Sequence, residues 1–150
     1  MQTDREIEFV TVLIAEQLFG LPIARVHDVF MVDRLTRVPL APPEVAGILN
    51  LRGRVVTMID MRRRLDLPEH EGGRGNMAVG IEYRGESYGL LIDSVGEVLK
   101  IPAANREPNP VNLDPRWSRV AEGVVQLDGR LMVVLDVDRV LELKTLELAA

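Results

Sequence analysis

A mainly β fold of two similar barrels, each of about five strands and each ending in a short helix, with the barrels packed on one another, is what the sequence predicts. Three observations predict it. An internal repeat covers most of the chain, short apolar runs of strand type are bounded by turn residues, and an aspartate-led helical segment closes each repeat.

The repeat is read by sliding the sequence along itself. At an offset of 76, the stretch Gly47-Ile-Leu-Asn-Leu-Arg-Gly-Arg-Val-Val-Thr-Met-Ile-Asp-Met-Arg-Arg-Arg-Leu-Asp-Leu67 lies over Gly123-Val-Val-Gln-Leu-Asp-Gly-Arg-Leu-Met-Val-Val-Leu-Asp-Val-Asp-Arg-Val-Leu-Glu-Leu143 without a gap. Gly47/Gly123, Gly53/Gly129, Arg54/Arg130, Asp60/Asp136 and Arg63/Arg139 are among the identities. At an offset of 69, Phe19-Gly-Leu-Pro-Ile-Ala-Arg-Val-His-Asp-Val-Phe30 lies over Tyr88-Gly-Leu-Leu-Ile-Asp-Ser-Val-Gly-Glu-Val-Leu99. The change of offset places seven extra residues in the proline-rich stretch 101–115, read as a loop because loops take insertions at little cost. The chain 1–150 is therefore expected to be one domain of two barrel-like halves, about 1–68 and 76–143, joined by the glycine-rich connector 69–76.

The elements follow in order. Ile7–Ile14 and Met77–Tyr83 read as strands, interrupted by hairpin turns at Gln17–Gly20 and Arg84–Glu86. Arg52-Gly53 and Asp128-Gly129 mark further hairpins, Asp-Gly being the stronger type I′ signal and Arg-Gly the weaker. Asp60 and Asp136 stand where an N-cap oxygen would satisfy free amides, and Met61/Leu65 and Val137/Val140/Leu141 follow at helical spacing. A barrel of about 70 residues has a thin core, so the two are expected to fold as one unit, with the groove between them as the default binding site.

Composition narrows the function. Of 150 residues, 47% are hydrophobic and 27% charged, which is globular and neither disordered nor fibrous. There is no cysteine, which removes disulfides, thiolate metal sites and cysteine nucleophiles and fits a reducing compartment. The amino terminus carries Asp4, Arg5, Glu6 and Glu8 and reads as no secretory signal, and the longest pure apolar run, Leu131–Leu135, is far short of the roughly 20 residues of a membrane span. A cytoplasmic, soluble chain is expected. A net charge of −5 repels phosphate backbones, so nucleic acid is not the expected partner. Sixteen of the 18 basic residues are arginines, which either suits interfaces or reflects base composition.

No catalytic set emerges. Ser87, Ser94 and Ser118 sit in no nucleophile elbow, and only His27 and His70 could serve them. His27 is read as an ordinary strand histidine and Asp66, Glu69, His70 and Glu71 as a solvated loop, not a metal site. Gly72–Gly75 lacks the lysine of a phosphate loop and reads as connector. Asp28 and Glu97 occupy equivalent positions because of the repeat, and the run Arg62–Arg64 reads as a solvated helix face more readily than as a patch for an acidic partner. No metal or cofactor is expected.

The string Gly47 to Arg62 resembles the CheW family of bacterial chemotaxis coupling proteins. Phe19-Gly-Leu-Pro-Ile with Val26-His-Asp-Val29, Asn50-Leu-Arg-Gly53, Tyr88-Gly-Leu-Leu-Ile-Asp with Val95-Gly-Glu-Val98, and Asp128-Gly-Arg-Leu131 fall in that family's order over nearly the whole chain. The resemblance implies two five-stranded SH3-like barrels and a non-catalytic adaptor that couples the cytoplasmic tips of chemoreceptors to the regulatory domain of a CheA-type histidine kinase, recruited to arrays under the membrane without inserting in it. It also implies roles for single residues. Arg52 matches a functionally sensitive arginine, and Asp28 stands where the family usually has glutamate, so an Asp28–Arg52 pair, bidentate if geometry permits, would orient a wall of the receptor groove. Val26 and Gly47 match positions linked to receptor binding, although barrel core and turn geometry account for them equally well. Asn50 and Gly53 complete the partner-binding set. In the second half Gln126 and Asp128 replace Asn50 and Arg52, so the charged signature belongs to the first half alone. The rival reading is the same fold in a parallel pathway controlling pili, development or a second messenger, and an enzyme with an unrecognised site is more remote.

Overall fold

The structure is a computed structural model that describes residues 5–68 and 76–142. Along them run β1 (Glu6–Ile14), β2 (Gln17–Pro22), β3 (Val26–Met31), β4 (Val45–Leu51), β5 (Arg54–Asp60), α1 (Met61–Arg64), β6 (Met77–Tyr83), β7 (Glu86–Ile92), β8 (Ser94–Pro102), β9 (Arg106–Glu107), α2 (Pro115–Ser118), β10 (Ala121–Leu127), β11 (Arg130–Leu135) and α3 (Val137–Val140).

The strands form two sheets. One holds five strands in the order β3-β6-β7-β5-β4, the other six in the order β8-β1-β2-β11-β10-β9. The repeat is visible in the registers. Gly47 faces Met58 across β4–β5 as Gly123 faces Val134 across β10–β11, and both pairs sit beside a bulge. Parallel pairing of β5 with β7 matches that of β11 with β2. The sixth strand is the two-residue β9, whose counterpart in the first barrel is the single bridge Thr36↔Ile48.

The expected halves 1–68 and 76–143 do not coincide with the barrels. The first barrel joins β3, β4 and β5 of the first repeat to the hairpin β6–β7 of the second, and the second barrel takes the hairpin β1–β2 in exchange. A 3₁₀ turn at Ile23–Arg25 carries the chain from one sheet to the other, and the single residue Asp93 does so between β7 and β8. Hairpins are encoded locally, but the sheet a hairpin joins is decided by non-local pairing that no short sequence pattern specifies.

The exchange also explains the continuous apolar run in β11. Met132 and Val134 pack with Phe9, Leu18 and Val125 inside the second barrel, while Val133 and Leu135 join a larger cluster with Val12, Phe19, Ile59, Val79 and Leu90 drawn from both barrels. A strand buried on both faces loses the alternation of a half-buried one. The first barrel's own core is small, built on Val32, Val56, Met58, Ala78 and Leu91. The barrels therefore share most of their apolar interior, as the thin-core argument anticipates.

Turns and caps follow with two differences. Asp60 Oδ1 accepts the amides of Arg62 (3.0 Å) and Arg63 (3.3 Å), and Asp136 Oδ1 that of Arg139 (3.2 Å), so both aspartates cap as expected. The first hairpin turns at Ala15–Glu16 (φ 50 and 69°), while Gln17–Gly20, expected as the turn, is strand. The stretch 101–115, expected as a loop, contains the end of β8, a 3₁₀ turn and β9, and leads into α2, whose Asp114 cap followed by Pro115 is a helix-start signal. Among the described residues no helix is long and apolar enough to cross a membrane.

Candidate functional site

The charged signature of the first repeat gathers at one mouth of the first barrel. β3 and β6 pair as Val26↔Ile81 and then Asp28↔Gly80, so a bulge lies at His27. A bulge re-aims the side chains that follow it. Accordingly Val26 packs against the core shared by both barrels, whereas Phe30 packs into the first barrel's interior, and Asp28, two residues before Phe30, is half-buried at its mouth.

Arg52 reaches Asp28 from the β4–β5 turn. Arg52 (φ 52°) and Gly53 (φ 83°) both have left-handed backbone, the type I′ geometry, and Asn50 Oδ1 accepts the Gly53 amide at 3.0 Å. A left-handed arginine costs about 1 kcal/mol, which the glycine beside it and the Asn50 bond help to offset. At Asp128–Gly129 only the glycine has positive φ (75°), so the weaker sequence signal made the type I′ turn and the stronger one did not. Arg52 Nη1 donates to Asp28 Oδ2 at 3.3 Å, a single contact where a bidentate one was anticipated. With Arg52 77% exposed, the pair contributes little to stability and leaves most guanidinium donors facing solvent.

The pair borders a cavity of about 220 Å³ whose lining includes His27, Phe30, Arg54, Val56 and Tyr88. Burial, and then the nearby Glu86, push the Tyr88 hydroxyl above its ordinary pKa, so it remains a neutral donor in the physiological range. His27 is exposed, with Nε2 3.7 Å from Glu82 Oε1. Phe30, Val56 and Tyr88 are not site residues in the sequence reading, and no local pattern marks them: they line the cavity because β3, β5 and β7 are brought together in one sheet. The structure thus brings Asp28, Asn50, Arg52 and Gly53 together. Gly47 lies elsewhere, in the β4 bulge, where a Cβ would come within 2.6 Å of the Thr36 carbonyl oxygen. A larger cavity, about 840 Å³, runs under the segment 35–46 against Asp60, Arg62 and Asp93. Neither cavity lies between the barrels, where the groove was expected, because the shared core fills that space.

The arginine run on α1 is a solvated face only at Arg63, which is exposed, whereas Arg62 and Arg64 are partly buried and bonded. Arg62 donates to both oxygens of Asp93, from Nε at 3.0 Å and Nη2 at 2.5 Å, and to the Pro68 carbonyl at 2.8 Å. That pairing raises the Arg62 pKa further. Arg64 donates to the carbonyls of Val140 (2.7 Å) and Arg139 (2.9 Å), closing α3, and its burial lowers its pKa. Together with Arg25–Asp138 (2.8 Å) and Arg116–Asp66 (3.1 Å), these contacts tie parts of the two repeats together, the use for which a planar, multi-donor cation suits. Of the acidic cluster considered as a metal site, Asp66 pairs with Arg116, and Glu69, His70 and Glu71 lie outside the described residues, as do Gly72–Gly75. Among the described residues no three His, Asp or Glu side chains converge.

A twin barrel that turns a charged hairpin and open cavities toward solvent has the form of a protein-binding module. The family model of the CheW-like domain matches residues 8–145, and the chain belongs to that family. The chemotaxis protein CheW of Bacillus subtilis is 29% identical over 124 residues, covering 83% of this chain and 80% of the relative. Protein FrzA of Myxococcus xanthus is 30% identical over 131 residues, covering 85% and 79%. The crystal structure of the scaffolding protein TtCheW from Thermoanaerobacter tengcongensis superposes with a TM-score of 0.83 at 27% identity, covering 93% of this chain and 95% of that one.

Proposed function

We propose that this protein is a non-catalytic chemotaxis adaptor that couples chemoreceptor tips to the regulatory domain of a CheA-type histidine kinase at receptor arrays in the cytoplasm. The observation that carries the reading is the family match over residues 8–145. The Asp28–Arg52 pair at the first barrel's mouth, with Asn50 and Gly53 shaping its turn, is the receptor-facing part of the site. Val26 and Gly47 support it from behind, Val26 by packing on the shared core and Gly47 by letting the Thr36 backbone close against β4. The second barrel, which has Asp128 in place of Arg52, leaves a separate face for the kinase. Titrating a receptor tip and a kinase regulatory domain singly and then together tests this: a ternary complex is expected, and displacement of one by saturation with the other would refute bridging. A second reading, the same scaffold serving a parallel chemosensory pathway, is favoured by the similarity to Protein FrzA, and capture of the cognate receptor and kinase from cell extract separates the two.

A further inference from the structure

The two barrels carry a bulge at the same place and fill it differently. In the second barrel the register of β1 and β8 shifts between Val12↔Val95 and Val10↔Val98, the counterpart of the shift between Val26↔Ile81 and Asp28↔Gly80 in the first. Ile81 is thereby equivalent to Val12, and Gly80 to Thr11. Thr11 is buried, its hydroxyl donates to the Glu97 carbonyl at 2.6 Å, and it lies where a Cβ on Gly96 would come within 2.6 Å of its oxygen. In the first barrel the residue equivalent to Thr11 has no side chain. A Cβ on Gly80 would collide with Asp28 Oδ1, and Phe30 Cε1 would stand 3.3 Å from it. The space taken by the threonine in one barrel is taken by the Asp28 carboxylate in the other.

We propose that Gly80 is the positioning residue of the recognition pair: it lets the Asp28 carboxylate lie over the β6 backbone, from where its other oxygen accepts the Arg52 guanidinium. Aspartate is short, so it has no second route to Arg52 once that space is filled. Because the first atom a Cβ meets is the end of a side chain and not backbone, Gly80→Ala keeps the fold and moves the carboxylate. Residue 80 comes from the second repeat and Arg52 from the first, so the exchange of hairpins is what lets one repeat tune the charged site of the other. The positioning stands on geometry alone, and its consequence for binding rests on the receptor-facing reading above.

The test is NMR of the Arg52 guanidinium in the full chain, with receptor-tip binding as a second readout. The Arg52 Nε–Hε resonance of Gly80→Ala is expected to move to its position in Asp28→Ala, and Gly80→Ala/Asp28→Glu, whose longer side chain can arch over the new methyl, is expected to restore the wild-type position. Receptor-tip affinity should fall about two- to fivefold in Gly80→Ala, as for loss of an exposed pair, with no further loss when Gly80→Ala is added to Asp28→Ala. An Arg52 resonance unchanged by Gly80→Ala overturns the positioning role, and so does a further loss of affinity on the Asp28→Ala background. A resonance that moves while affinity stays at the wild-type value leaves the positioning in place and removes the receptor-facing reading instead.

Discussion

Replacing Asp93 by alanine is expected to be among the most damaging changes to a polar residue of this protein. The carboxylate receives two donors from Arg62 and the Ala15 amide at 2.8 Å, so it joins α1, the β7–β8 junction and the β1–β2 turn. Arg62 and Asp93 are only 17% and 19% exposed. Breaking a fully buried pair by removing one partner costs about 3–5 kcal/mol, and an orphaned amide adds about 1 kcal/mol or more. Residual access of water at both sites reduces this, so about 2–4 kcal/mol is expected, or a fall in Tm of roughly 5–15 °C for a chain of this length. Urea denaturation of Asp93→Ala, Arg62→Ala and the double variant measures it, with a coupling of about 1–3 kcal/mol between the two sites. The exposed pair Arg106–Glu122, which is also short at 2.8 Å, serves as the control and should cost less than about 1 kcal/mol when broken. Additive losses below about 0.5 kcal/mol for Asp93→Ala and Arg62→Ala would show that the pair is solvated in effect, and the assignment of a tying role to Arg62 would fall.

Arg52→Gly relieves a left-handed arginine while deleting the ion pair, so it should melt within about 1 kcal/mol of wild type in thermal denaturation yet bind a receptor tip more weakly. A Cβ added at Gly53 or Gly129 meets no atom within 4 Å, so Gly53→Val and Gly129→Val should each cost about 1–2 kcal/mol, mainly through backbone strain. At matched folding, Gly53→Val is expected to reduce receptor binding more. The Asp114 carboxyl is held at about 2 against an ordinary 3.8, first by the Arg116 side chain and then by its amide. A folded pKa below the unfolded one means the stabilisation is present above pH 3.8 and disappears as pH falls through about 2, so Asp114→Ala should differ from wild type at neutral pH and converge with it in that acid window. Polypeptides 1–68 and 76–150, made separately, should each lack a cooperative melt and regain one on mixing, because each barrel needs strands from both.

What was legible in the sequence is what local chemistry determines. Asp60 and Asp136 announced their caps, Arg84-Gly85 its turn, and the two offsets of the repeat correspond to matching registers and matching bulges in the two sheets. What was not legible depends on distant partners. Ala15 and Glu16 have no turn chemistry, and their left-handed backbone is imposed by the pairing of Ile14 with Gln17 between strands already held in the sheet. Arg62 and Arg64 look like any charged helix surface until Asp93 and the end of α3 are brought beside them. In the candidate site, the family resemblance pairs Asp28 with Arg52, but the open space that receives the carboxylate belongs to Gly80, in a strand of the second repeat.

Two barrels made from independent repeats would each carry their own copy of any site, and changing one site would leave the other barrel's interior untouched. Here the mouth of the first barrel is assembled from Asp28 and Arg52 of one repeat and Gly80, Ile81 and Tyr88 of the other, while the corresponding place in the second barrel combines Thr11 with Gly96 and Glu97. A substitution in the hairpin of one repeat therefore acts on the barrel built mainly from the other. Thr11 occupies its bulge with a buried hydrogen bond and commits the second barrel to packing, whereas glycine at position 80 leaves the matching bulge open to a charge. The large shared core holds the two barrels together whichever choice is made, since Val12, Val79 and Ile81 on the opposite faces of these strands face that core in both cases. Recognition can diverge at the barrel mouths because stability resides mainly between the barrels.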